Sequence, residues 1–323
     1  MAKVDVCVVG EINMDIILRG LPKELVLERE LLATDASMTL GSSSAICAHN
    51  LAVLGTRVGF ISKIGNDPLG KLALDRLAEG GVDVEHVKRA SAKTLTGLTV
   101  IMPHGQQRYI VTYPGTMFEM QYSDIDMIYL RAARHLHVSS FFLHRALRPR
   151  MVDLFRQAKE AGLSTSLDTN DDPEDKWQKD LLDVLKYVDI FFPNDREAKK
   201  VAGTNDLSQA LKVLAGIVKI VAVKRGSAAS ICRSGEEQWS LAPPIIVRPV
   251  DVVGAGDTFN AGFLHMYLRG GKLEDCLTLA NITAACSITK EGGTEAFANR
   301  SSMLSYVRQQ WTAGGREIQK LGI

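Results

Sequence analysis

The chain has 323 residues, 46% hydrophobic and 23% charged, and its 38 Lys+Arg against 37 Asp+Glu give a formal net charge of +1. That length can bury a sizeable core in one large α/β domain or two unequal ones, and with no basic block long enough to track a phosphate backbone the balance favours a small-molecule partner over nucleic acid. The cysteines, Cys7, Cys47, Cys232, Cys276 and Cys286, are odd in number and form no C-x-x-C pair, so neither a disulfide framework nor a zinc site is expected.

The first run, V-D-V-C-V-V (4–9), reads as a buried strand. It is reached at once from the N-terminus and no apolar run attains spanning length, so secretion and membrane insertion lack a signal and the cytoplasm is the expected location. Next comes Gly10-Glu11-Ile12-Asn13-Met14-Asp15, where Asn13 and Asp15, two apart in an extended segment, point to one side and offer hydrogen bonds to hydroxyl groups. An Asx-turn at the strand end is the plain alternative. L-G-S-S-S (40–44), with Gly41 and Ser42, is a small-residue turn feeding a helix at 45–54, and a strand at 58–62 and a helix at 68–78 follow.

T-G-L-T-V-I-M (96–102) and Q-R-Y-I-V-T-Y (107–113) flank P-H-G-Q as a hairpin too small to form a core alone. With extended stretches at about 12–18 and 33–40 it is expected to make a small sheet over the edge of the main one, serving as a lid, an oligomer contact or both. Further strands are expected at 136–139, 163–168, 189–192 and 220–224, and helices at 149–161 and 197–202, with Gly55, Gly80, Gly162 and Gly203 closing helices. Such alternation describes a parallel sheet covered by helices on both faces.

After an extended run, A-P-P-I-I-V-R-P-V (242–250), comes D-V-V-G-A-G-D-T-F-N-A-G-F (251–263). Gly254, Ala255 and Gly256 lie where the chain turns into a helix N-terminus, so backbone amides and the helix dipole converge on an anion site. Asp257, directly behind them, is either a helix cap or a carboxylate with a chemical task. A Walker A loop would need Gly-Lys-Ser/Thr, and a dinucleotide loop would need a third glycine where Phe259 stands.

From G-E-I-N-M-D, through L-A-V-L-G-T-R-V-G-F-I-S-K-I-G-N-D-P-L-G and F-F-P-N-D-R-E-A, to D-V-V-G-A-G-D-T-F-N-A-G-F, the chain resembles the ribokinase-like (PfkB-type) carbohydrate kinases along nearly its whole length. The resemblance implies a single ribokinase-like domain over 1–323: a three-layer α/β/α fold with a mostly parallel central sheet and a β-sheet lid from about 12–18, 33–40 and 94–114. It implies ATP-dependent phosphorylation of a hydroxyl, with Asp257 as general base and the Gly254, Ala255 and Gly256 amides as anion hole. It further assigns Asn13, Asp15, Gly41 and Ser42 to sugar binding, Asn194 and Glu197 to organising Mg²⁺ and the phosphates, and Lys224, Gly226, Gly256 and Asn281, with the segment around Gly292, to ATP. Asp251 and Val253 would offer carbonyls to a monovalent cation, K⁺ in the members that use one; the lid hairpin suggests a homodimer in which two such sheets pair, with a monomer that uses its lid alone as the alternative.

Departures from the family narrow the acceptor. Ser42 replaces the second glycine of the sugar turn, and Ile46 replaces an asparagine that binds sugar in ribokinase, so ribose is not expected. Asp171 and Asp172 stand where a keto-acid kinase would show a basic residue; they would repel an acidic substrate and favour a neutral sugar or polyol, with a nucleoside as the alternative. A non-catalytic sugar or nucleotide sensor would be expected to lose Asp257 or the glycine turn, and a nicotinamide-dependent oxidoreductase would need the missing third glycine. His135 and His137 read as ordinary strand-end histidines lacking a third metal ligand, His49 as a packing residue, and the basic residues of 144–150 as a solvated helix start.

Overall fold

The computed structural model describes residues 4–91, 93–104, 107–177, 179–244 and 249–323. In chain order its elements are β1 (Val6–Val9), β2 (Asn13–Arg19), β3 (Asp35–Gly41), α1 (Ser43–Val53), β4 (Val58–Ile64), α2 (Pro68–Glu79), β5 (Val87–Arg89), β6 (Gly97–His104), β7 (Gln107–Tyr113), α3 (Met127–Arg131), β8 (His135–Val138), α4 (Met151–Glu160), β9 (Ser164–Leu167), α5 (Lys179–Leu185), β10 (Ile190–Phe191), α6 (Asp195–Ala202), α7 (Leu207–Ala215), β11 (Ile220–Val223), β12 (Ser230–Ser234), β13 (Glu237–Leu241), α8 (Ala255–Tyr267), α9 (Leu273–Ser287) and α10 (Arg300–Ala313).

Among the described residues a 9-stranded sheet runs β13-β12-β11-β10-β9-β8-β1-β4-β5, parallel from β11 to β5 and antiparallel at β12 and β13. β1 explains the layers. Val6 and Val8 project into one core with residues of α1, α2, α8, α9 and α10, while Cys7 and Val9 project into the other with α3, α4, α5 and α7. Successive side chains leave opposite faces of a strand, so an unbroken apolar strand requires helices on both sides. The result is the expected three-layer α/β/α fold. Strands β5, β12 and β13 had no counterpart in the sequence reading, because they are short or polar on one face. Gly55, Gly162 and Gly203 take the left-handed conformation that ends a helix, but Gly80 stays right-handed and Gly81, at φ 87°, makes the turn instead.

The second sheet runs β3-β2-β6-β7 and stands on the carboxyl ends of the central strands, because β2 continues β1 through Gly10–Ile12. Its register brings chemistry together: Asn13 lies opposite both Gly41 and Gly97, and Asp15 opposite both Thr39 and Thr99. The hairpin turn at 105–106 and the middle of the 242–250 run, 245–248, fall outside the described residues. All five cysteines are buried and free, and no helix among the described residues is long and apolar enough to cross a membrane.

Candidate active site

Lys224, Asn194 and the Gly254–Asp257 turn lie at the carboxyl ends of central strands or at helix starts facing them, the usual binding position in an open parallel sheet. Asn13, Asp15 and Gly41 come from the second sheet, and Asn281 from the middle of α9. Gly254 adopts φ 72°, and a Cβ there would lie 2.6 Å from the Gly293 Cα, so both the backbone conformation and the space demand glycine. α8 begins at Ala255. The Thr258 N–H and Oγ1 both donate to the Gly254 carbonyl, at 2.9 and 2.7 Å, and close the turn. The Ala255 N–H makes only a long 3.4 Å contact to the Val252 carbonyl, and among the described residues no hydrogen bond engages the N–H of Gly254, Gly256 or Asp257. A helix start with free amides attracts negative charge.

Asp257, the third residue of α8, is buried and faces a cleft of about 240 Å³ that Asn13, Asp15, Ser42 and Ser43 also line. Burial, reinforced by the nearby Asp168 charge, pushes its carboxyl up to about 7, against the pull of Lys224 and a hydrogen bond from Ser43. The helix start is pinned from below, where Asn50 Nδ2 donates to Thr258 Oγ1 at 2.8 Å and to the Gly293 carbonyl at 2.9 Å.

On the lid side, Asn13 Nδ2 donates to Thr99 Oγ1 at 2.9 Å, while Asn13 Oδ1 is buried without a partner. Asp15 is 6% exposed, and burial, with a contribution from Asp251, raises its carboxyl to about 7 despite bonds from Thr99 and Asn13. Gly41 is the floor under both, since a Cβ there would overlap the Asp15 carboxylate. Ser42, at φ 74°, donates to the Glu11 carbonyl at 2.5 Å and caps α1. Glu11 is itself buried; burial raises its carboxyl, but His144 at 3.2 Å and the hydroxyls of Ser44 and Ser140 at 2.7 Å overcome that and bring it down to about 2.

A second pocket of about 580 Å³ opens on the other side of the same turn. Lys224, Gly226, Ala255, Gly256 and Asn281 line it together with apolar side chains such as Phe259 and Ile288, a composition suited to a flat aromatic group with a charged tail. Val252 borders both pockets, so the turn separates them. Lys224 Nζ and Asn260 Nδ2 both donate to the fully buried Asp168, each at 2.5 Å. Burial works against the lysine charge, but Asp168 and Glu197 outweigh it and hold the ammonium above its ordinary range.

Asn194 caps α6 and accepts from the Glu197 N–H, and Glu197 returns bonds to the Asn194 N–H at 2.9 Å and side-chain amide at 2.5 Å. Glu197 is 4% exposed, and burial together with Asp168 raises it to about 7 even with Lys224 opposing. Asp251 accepts from the N–H groups of Val253 and Gly292, each at 3.0 Å, tying the approach to the turn to the segment around Gly292.

Other expectations are not gathered here. Asp171 lies on the surface in an ion pair with Arg196 at 2.5 Å, and Asp172 accepts from the N–H groups of Glu174, Lys176 and Trp177; neither lines the cleft, so neither presents charge to an acceptor. His144 is buried against Glu11, which corrects its placement in a solvated helix start. His49 packs on Gly80 and Asn50. His135 and His137 bond to serines inside the sheet. Sequence reasoning gave no role to Glu11, Asn50 or Arg108; Asp168 entered it with no task assigned, as the first residue of the D-x-N in S-L-D-T-N-D-D-P-E-D-K-W (166–177), a segment that resembles one in hexose and keto-acid kinases.

The model of the pfkB carbohydrate kinase family matches residues 3–299. An uncharacterized sugar kinase of Archaeoglobus fulgidus is 31% identical over 250 residues, covering 76% of this chain and 96% of the relative. A 2-dehydro-3-deoxygluconokinase of Bacillus subtilis is 28% identical, covering 85% of this chain and 89% of its own length. The structure of Arabidopsis thaliana ribokinase complexed with ribose and ATP superposes with a TM-score of 0.81 at 27% identity, over 95% of this chain and 99% of that one.

Proposed function

The chain belongs to the pfkB family of carbohydrate kinases, and on that premise we propose that it transfers the γ-phosphoryl group of ATP to a hydroxyl of a sugar or polyol held between Asp257 and the lid. The observation that carries the reading is the pairing at one helix start of free backbone donors with a buried carboxylate raised to about 7. A general base is most effective when its pKa lies near the working pH. Asp257 takes the acceptor's proton as its oxygen attacks the γ-phosphorus in line and the bond to the bridging oxygen of ADP breaks. The amides of Gly254, Ala255 and Gly256 balance charge on the phosphoryl oxygens. A carboxylate at this point therefore faces the acceptor, and the anion site belongs to its neighbours' backbone.

Asn13, Asp15, Gly41 and Ser42 orient the acceptor, and the unpartnered Asn13 Oδ1 supports a hydroxyl donor there. Lys224, Gly226, Gly256 and Asn281 line the nucleotide side. Mg²⁺ fits beside Glu197, a buried carboxylate short of positive charge; since both its oxygens serve the α6 cap, Glu197 and Asn194 would hold the ion through water. Mg²⁺ supplies neutralisation of the phosphate charge. Asp251 and Val253 are the proposed carbonyl donors to a monovalent cation. A homodimer through the lid would cover Tyr109, Val111 and Tyr113, which are exposed on the edge strand β7. The neutral acceptor expected from Asp171 and Asp172 loses its basis, because those carboxylates do not face the cleft.

Phosphorus NMR of ATP incubated with a panel of sugars, polyols and nucleosides tests the reading. Acceptor-dependent ADP with a matching phosphate ester is the expected result; ADP with inorganic phosphate alone would defeat it.

A further inference from the structure

The inner face of the lid is graded. β7 is exposed along its whole length; Arg108, Ile110 and Thr112 alternate on the side that lines the cleft, and Tyr109, Val111 and Tyr113 leave the opposite side. Cross-strand register sorts the inner residues into rows. Thr112 lies opposite Thr99, which lies opposite Asp15; Ile110 lies opposite Ile101, which lies opposite Ile17; Arg108 lies opposite Pro103. From the root outward the face thus presents hydroxyl and carboxyl groups, then a branched apolar band, then Arg108, whose backbone is about 14 Å along the strand from that of Thr112.

Arg108 is the one basic side chain among the residues lining this cleft. Among the described residues it has no ion-pair or hydrogen-bond partner for its guanidinium. Several other surface arginines are occupied: Arg196 by Asp171 and Asp175, Arg148 by Asp180, and Arg19 by Asp35 and Glu291. The carboxylates lining the cleft do not claim it. Glu11 is taken by Ser44, Ser140 and His144, and Asp15 and Asp257 are both raised to about 7 by burial. Asp251, across the adjoining pocket that Arg108 also lines, is held by two backbone N–H groups.

We propose that the acceptor is an anionic sugar derivative, with hydroxyls at the Asn13 and Asp15 end and a carboxylate or phosphate at the far end, bound by Arg108. A planar fork of donors pairs bidentately with either anion. This inference rests on the kinase reading above and names the substrate class for the same cleft.

The test is steady-state kinetics of the wild type, Arg108→Ala and Arg108→Lys on sugar acids, sugar monophosphates and neutral sugars of the same carbon number. Arg108 is exposed on an edge strand, so the variants are expected to fold, and melting curves check this. The best acceptor should be anionic, and Arg108→Ala should lower its kcat/KM by about 10- to 100-fold, chiefly through KM, with KM for ATP unchanged and partial recovery in Arg108→Lys. Which anionic arm responds identifies carboxylate or phosphate. A neutral best acceptor indifferent to Arg108 overturns the inference and leaves the kinase standing. Equal losses on every acceptor, or a raised KM for ATP, would assign Arg108 to the donor side and also overturn it. If no compound yields a phosphate ester, the kinase reading itself fails.

Discussion

Two sets of buried titratable groups sit in the same central region and are treated in opposite ways. Inside the sheet, His135 bonds Ser164 and Ser166 at 2.7 Å each, and His137 bonds Ser166 at 2.7 Å and Ser139 at 2.9 Å, so every ring nitrogen has a partner. At the carboxyl ends of the strands, Asp257 and Asp15 are buried with too little compensation, and Asn13 Oδ1 has none. Burial alone therefore does not mark a site. What marks it is burial with bonding capacity left unused at the lining of one cleft, a cost to folding that a substrate can relieve.

The largest break in that contrast is Asp257→Asn. Turnover should fall by about 10²–10⁴. Because the folded state holds this carboxyl well above its unfolded value, its contribution to stability falls as pH rises from about 4 to about 7, so removing the charge should stabilise the protein at pH 8 by on the order of 3 kcal/mol. In the wild type, kcat/KM should decline as pH drops below about 7. Urea denaturation and a pH–rate profile read both effects, and an asparagine variant that is inactive and also less stable at pH 8 would remove the contrast.

The histidines titrate in the reverse sense. Burial lowers His137 to about 4, so the unfolded chain takes up a proton near 6.5 that the folded one refuses, and stability is lost as pH falls from about 6.5 to about 4. Comparing wild type with His137→Gln at pH 7.5 and pH 4.5 isolates this loss, on the order of 3 kcal/mol, from the opposite contributions of Asp15, Asp257 and Glu197.

Ser166→Ala, which strips a partner from both rings, should cost about 1–3 kcal/mol of stability with kcat and KM intact. Asn13→Ala sharpens the comparison from the other side: little change in stability, but an acceptor KM raised by about tenfold with KM for ATP unchanged. If the serine variant impaired catalysis, or the asparagine variant only stability, the assignment of scaffold and site would be reversed.

How much of this was legible depended on the range of the interaction. β1, β4, β8, β9 and β11 were readable because an apolar run between turn residues has few other fates, and the glycines at 254 and 256 announced a helix start because their backbone demands are local. Strands β12 and β13 were not, since a strand with a polar face resembles a loop until its neighbour is known. The acidic pair at 171–172 misled for the same reason: proximity in sequence to the D-x-N segment beginning at Asp168 did not say that Arg196, some 25 residues on, would turn one carboxylate outward.

By itself, then, the sequence determined most of the central strands, the helix start with its free backbone amides and the carboxylate beside it, because each follows from backbone geometry and side-chain period within a few residues. Only the tertiary structure decided which groups share a cavity and what charge they carry there. Lys224 with Asp168, Arg108 with Asp257, and the raised carboxyls all arise from residues distant in the chain brought out of water together, and desolvation is a property of the assembled fold.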